Sequence, residues 1–110
     1  MVEASQDILR QVQEAAAKRI LFTPHALNQM NAPEEMISTG EVRSVVFSGD
    51  VVEDYPDDVR GHSCLIVGHG HRGRPIHIVC APKPDYLAVI TAYVPTLDRW
   101  ESDWRTRRRK

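Results

Sequence analysis

Along this chain the spacing of apolar residues changes from helical to extended. Ile8, Val12, Ala15, Ala16 and Arg19 recur at steps of three and four, which predicts a helix over about 6–19 with Ser5 as its cap. Ile20-Leu21-Phe22 is a short apolar link, either a brief strand or a plug in the core. Thr23-Pro24-His25-Ala26 begins a second helix, because Thr caps well and Pro suits a first turn that needs no amide hydrogen. Leu27 and Met30 are expected to face the core, and Pro33 ends this helix. A third helix follows Ser38 or Thr39, presents Val42, Val45 and Val46, and closes at Gly49.

From there the pattern is that of strands. Residues 50–55 and 62–68 read as the first two, parted by the polar turn Pro56-Asp57-Asp58. The glycine-rich run 68–73 leads into 74–81, and 86–95 follows after Pro82, Pro84 and Asp85. Branched and aromatic residues dominate these last two runs, which read as one antiparallel hairpin. Thr96 then caps a final helix anchored by Leu97, Trp100 and Trp104. The expected fold is α+β: N-terminal helices packed on a four-stranded antiparallel curled sheet, with a C-terminal helix.

The chain of 110 residues suffices for a single domain with its own core. No apolar run approaches the roughly 20 residues that cross a bilayer, and the start lacks a signal-peptide layout, so a cytoplasmic protein is expected. Cys64 and Cys80 fall in strand patterns and read as small buried hydrophobes.

Charge changes the picture more than composition does. The net charge is −1, yet Arg105, Arg107, Arg108, Arg109 and Lys110 crowd the end of the chain. Without this tail, 105–110, the body holds nine basic and fifteen acidic residues, a net charge of −6. A basic tail on an acidic body points to an anionic contact, either nucleic acid or an acidic partner. It equally suits the solvated end of a helix, where cations meet the dipole.

An ordered set of short motifs carries a family resemblance. Phe22-Thr23-Pro24-His25-Ala26, Gly49-Asp50-Val51-Val52-Glu53-Asp54-Tyr55-Pro56, Ser63-Cys64-Leu65, Pro75-Ile76-His77-Ile78-Val79, Ile90-Thr91-Ala92-Tyr93-Val94-Pro95 and Trp100-Glu101 together resemble the bacterial and archaeal family of unknown function DUF4258, over about 20–104. That family is described as similar to RelE-like toxins of toxin–antitoxin pairs. The resemblance implies a RelE-like fold, action on messenger RNA with or without the ribosome, and neutralisation by a zinc-finger antitoxin. Where the family typically carries an arginine before the methionine of the His-bearing helix, this chain has Gln29.

Metal-independent cleavage of RNA needs a base for the 2′-hydroxyl, a cation for the phosphate and an acid for the leaving oxygen. His77 can be the acid or base, Tyr93 an auxiliary donor, and Arg60 and Arg74 the phosphate clamps, since a guanidinium pairs two oxygens at once. His25, at a helix N-terminus, can lie near an anion or simply pack on Phe22. His77 equally reads as a hydrogen-bonded core histidine, with Tyr93 at the rim. No cofactor is expected, and no metal, because His69 and His71 lack a third and fourth ligand. The leading expectation is an endoribonuclease of RelE-like type; the alternative, favoured by the acidic body, is a non-catalytic protein-binding module on the same scaffold.

Overall fold

A computed structural model describes residues 2–109, with side chains from residue 6 onward. Three helices come first: α1 (Val2–Lys18), α2 (Pro24–Met30) and α3 (Thr39–Ser48). Five strands form one sheet: β1 (Ile20–Phe22), β2 (Asp50–Tyr55), β3 (Ser63–His69), β4 (Pro75–Pro82) and β5 (Leu87–Tyr93). Their order across the sheet is β1-β5-β4-β3-β2. The pairs from β2 to β5 are antiparallel, whereas β1 runs parallel to β5. The apolar link 20–22 is therefore a fifth strand, where four were expected. Leu87 N donates to Arg19 O at 2.8 Å and Thr23 N to Val89 O at 3.0 Å, which extends this pairing beyond three residues.

Helix ends follow the local chemistry. Thr23 accepts from Ala26 N at 3.0 Å, and Pro24 opens α2. Ser38 and Glu41 form a reciprocal capping box on α3, through Glu41 N to Ser38 Oγ (3.0 Å) and Ser38 N to Glu41 Oε1 (3.3 Å). Ser5 lies inside α1 rather than at its start. In α2, Met30 is buried as expected, whereas Leu27 is 39 % exposed and Ala26 takes the inward position in its place.

Strand alternation divides the sheet between two coverings. Ile76, Ile78 and Cys80 of β4, with Cys64 and Ile66 of β3 and Leu87, Val89 and Ala92 of β5, pack with Ile8, Val12, Val42, Val45 and Val46 of α1 and α3. Contact is close enough that a Cβ at Gly68 would stand 2.8 Å from Val45 Cγ1, so glycine lets α3 settle on β3. Cys64 and Cys80 are fully buried register partners with free thiols. The Cys64 hydrogen bond and burial push the Cys80 thiol well up, so both sulfurs act as core atoms.

The opposite face is covered by the segment 96–109, which forms no helix. One helical turn begins, with Trp100 N donating to Thr96 O at 3.0 Å. The chain then folds back: Glu101 N donates to Thr106 O and Arg108 N to Arg99 O, both at 2.8 Å, and Trp100 pairs antiparallel with Arg107. The Asp103 carboxylate takes the amides of Arg105 (2.9 Å) and Thr106 (3.0 Å), satisfying locally two donors that a helix would have claimed. Trp104 adopts a positive φ of 61°, outside helical geometry. Of the three expected anchors, Trp100 is buried to 2 % exposure, whereas Leu97 is exposed.

Candidate functional site

His77 lies on the face under this C-terminal strap, directly opposite Tyr93 in the β4–β5 register. It is 0 % exposed, and both ring nitrogens are bonded. Nε2 lies 2.7 Å from the Trp104 carbonyl, which can only accept, so Nε2 carries the hydrogen. Nδ1 is left to accept from the Tyr93 hydroxyl at 3.0 Å. Trp100 meets the imidazole edge-on, with ring centroids 4.5 Å apart and planes at 88°. Burial lowers the His77 pKa, against the opposing pull of the Trp104 hydrogen bond and of Glu53, so the ring is held neutral. Burial also raises the Tyr93 pKa, with Arg107, Trp100 and Arg99 acting against it.

Tyr93 is only half-buried. With Gln29, Arg99, Trp100 and Arg107 it lines a cleft of about 350 Å³. Its hydroxyl is a donor to His77 and its oxygen is also engaged by the Trp100 side chain, so only its remaining acceptor capacity faces what enters. Arg107 stacks over Trp100, its guanidinium carbon 4.7 Å from the ring centroid. The same guanidinium forks onto Glu53 through Nε (2.7 Å) and Nη2 (3.0 Å). Glu53 also accepts from the Tyr55 hydroxyl. These bonds, Arg107 first, lower the Glu53 pKa, while burial and Glu53 push Tyr55 up to about 12. A second cleft of about 290 Å³, lined by Asp98, Arg99, Arg107 and Arg108, adjoins the first through the two arginines they share.

The other expected site residues stand elsewhere. Arg74 is bound on the helix side: to Glu41 through Nε (3.1 Å) and Nη2 (2.8 Å), and to the carbonyls of Glu35 (2.6 Å) and Met36 (3.1 Å). Glu41 is 3 % exposed and also takes the His71 amide at 2.7 Å. Burial pushes this carboxyl up, but the bonds from Arg74, His71 and Ser38 outweigh it and bring the pKa to about 2. A Cβ at Gly70 would stand 2.2 Å from Glu41 Oε2, so the carboxylate fits only against a glycine. Arg60 forks onto Asp58 at 3.0 and 2.8 Å in the β2–β3 connection, and its carbonyl accepts from Lys83. His25 is exposed on the first turn of α2.

So the structure brings His77 and Tyr93 together and adds Arg99, Arg107, Glu53 and the Trp104 carbonyl, none of which the sequence reading placed beside them. The basic tail and acidic body held the signal for Arg107 and Glu53, since opposite charges far apart in sequence are natural partners. Nothing in the sequence marks a backbone carbonyl. Gln29 borders the cleft and accepts from Ala92 N at 3.0 Å through its side-chain oxygen. Among the described residues, no three of His, Cys, Asp and Glu are grouped so as to hold a metal ion, and no helix is long and apolar enough to cross a membrane.

The class that emerges is an α+β protein with a five-stranded open sheet, helices on one face and a neutral His–Tyr pair under a basic strap on the other. Residues 22–94 match the model of a domain of unknown function, DUF4258, and the chain belongs to that family. The matched span includes His77 and Tyr93 and stops short of the strap. Comparison with curated proteins and with solved structures gave no match.

Proposed function

We propose that this protein acts on RNA as a relative of the RelE-like toxins, a metal-independent endonuclease for messenger RNA that an antitoxin partner, of zinc-finger type, holds in check. One observation carries this reading: the Tyr93 hydroxyl, bonded to a buried His77, lines a cleft with two arginines. In the proposed reaction, Tyr93 accepts the proton of a ribose 2′-hydroxyl as its own proton passes to His77 Nδ1. The 2′-oxygen bonds to phosphorus, the bond from phosphorus to the 5′-oxygen breaks, that oxygen takes a proton from water, and His77 returns its proton through Tyr93 to the hydroxide left behind. Arg99 and Arg107 stabilise the charge on the phosphate. Arg60, Arg74 and His25 take no part in this scheme.

The alternative is a protein-binding module. It is favoured by the carboxylates that already engage the tail, since Asp50, Glu53 and Glu101 pair with Arg105, Arg107 and Arg108. Purified protein incubated with messenger RNA, with and without translating ribosomes, separates the two. The endonuclease reading expects new RNA ends that fall about a hundredfold in Tyr93→Phe, the low end of what a proton-transfer group contributes. Cuts undiminished in Tyr93→Phe remove Tyr93 from the chemistry. No cuts under either condition leave the binding module.

A further inference from the structure

The two adjoining clefts divide their linings by chemistry. The first offers an aromatic hydroxyl, the Gln29 amide and the edge of Trp100. The second is an arginine pocket, with Arg99, Arg107 and Arg108 around one carboxylate, Asp98, which the Thr96 hydroxyl engages. Arg107 gives its Nε–Nη2 edge to Glu53 and also meets the Tyr55 hydroxyl, while its guanidinium still lines both clefts. Both clefts, about 350 and 290 Å³, sit at the small end of the range of roughly 300–1,000 Å³ for small-ligand sites. That size fits one nucleotide unit in each step along the groove, not a duplex. Outside the tail the protein is acidic, so this groove is a local basic island.

We propose that the clefts form one binding groove for single-stranded RNA, in which a backbone phosphate lodges among Arg99, Arg107 and Arg108 and the adjoining nucleoside lies against Tyr93 and Gln29. This rests on the reading of the protein as RNA-directed, and it fixes the direction in which the strand lies: phosphate toward the open end of the strap hairpin, where Arg99 and Arg108 pair, and sugar toward the hydroxyl. Arginine suits the task because its planar fork matches phosphate oxygens. Single strands are favoured over duplexes because an unpaired nucleoside can leave the stack and turn toward an aromatic wall.

The test uses the full chain and a fluorescent oligouridylate whose 2′-oxygens are methylated, so that it binds but cannot be cut by 2′-oxygen attack. Arg99→Gln and Arg108→Gln should each weaken binding about tenfold and reduce the slope of log affinity against log salt by about 0.7. Arg43→Gln, on α3 over Phe47, changes the net charge equally but lies outside both clefts and should leave binding unchanged. Arg107→Lys keeps the charge and loses the fork, so its affinity should fall below wild type with the far-ultraviolet circular dichroism unaltered. Unchanged affinity in Arg99→Gln and Arg108→Gln, or an equal loss in Arg43→Gln, overturns the groove. So does polyglutamate bound as tightly as the oligonucleotide, which would identify an acidic protein partner, or a duplex bound as tightly as the single strand. Binding that follows these arginines without any RNA cleavage leaves the groove standing and removes the endonuclease. Cleavage that ignores them does the reverse.

Discussion

The two faces of one sheet are built from the same strands by opposite rules. On the helix face, Ile76, Ile78 and Cys80 bury apolar surface under α1 and α3, with one polar clasp, Arg74–Glu41, at the edge. On the strap face, His77 is interleaved between those residues and is covered by hydrogen bonds, an edge-on tryptophan and exposed ion pairs. Helices seal with area, which is non-directional and strong. A fourteen-residue strap (96–109) seals with a few directed contacts, which are specific and individually weak. The face proposed to admit RNA is therefore the one closed by the contacts that are easier to break.

The strongest test of this contrast is the clasp. Arg74→Ala leaves the buried Glu41 charge without its partner, and breaking such a pair costs about 3–5 kcal/mol. Urea unfolding at pH 7 should register that loss. The sign with pH is fixed by the Glu41 pKa, lowered from 4.5 to about 2. The contribution is complete above pH 4.5 and disappears as pH falls toward 2, so the gap between wild type and Arg74→Ala should close over that window. A gap that persists at pH 2 would mean the clasp acts through packing of the guanidinium and not through charge.

Next in size comes the apolar face itself. Ile78→Ala removes a fully buried side chain between helix and sheet and should cost about 2–5 kcal/mol, depending on how far the site collapses. Calorimetry or urea unfolding measures it. The loss should carry no pH dependence, which distinguishes apolar burial from the ionic clasp at the edge of the same face.

On the strap face the matching experiment is His77→Phe. The ring volume and edge-on packing are approximately kept, but the Trp104 carbonyl and the Tyr93 hydroxyl lose their partner, at about 1–3 kcal/mol. His77 is held neutral by burial, with its pKa below the ordinary 6.5. Its stabilising contribution is present above pH 6.5 and is lost as pH falls from there toward the lowered value. Wild type should therefore weaken between pH 7.5 and 5.5, and His77→Phe should weaken less. Equal slopes in both would show that His77 titrates alike in the folded and unfolded chain.

How much of this was legible beforehand follows from what each element depends on. The helix α3 and the hairpin β4–β5 were readable because their signals are local: a Ser–Glu capping box and two runs of branched residues. The facing of His77 and Tyr93 was conditional in the sequence, because alternation tells which residues share a face but not the register between strands. The strand β1 hid because a three-residue apolar run looks the same as a core plug, and its pairing with β5 is made across more than sixty residues. The last helix was overturned by Asp103, whose side chain claims the amides of Arg105 and Thr106. Apolar spacing alone carried that expectation, and Trp100 and Trp104 fit it equally well in a reversed chain. Arg60 and Arg74 read as free cations beside strands because their carboxylates are not marked by any one spacing: Asp58 lies 2 residues away and Glu41 lies 33.

The smallest expected effect bears most directly on whether the strap is a lid or a wall. Arg105 and Asp50 pair at 2.8 Å with both side chains largely in water, so Arg105→Ala should cost only about 0.2–1 kcal/mol, and less at high salt. A double-mutant cycle with Asp50→Asn isolates the pair from changes in the two single variants. A coupling in that range, shrinking between low and high salt, places this end of the strap among surface contacts that a ligand can displace at little cost. A coupling above about 2 kcal/mol would exceed what exposed pairs supply. The strap would then be as firmly built as the helix layer, the contrast between the two faces would fail, and the cleft beside Tyr93 would have to accept its ligand without any movement of its cover.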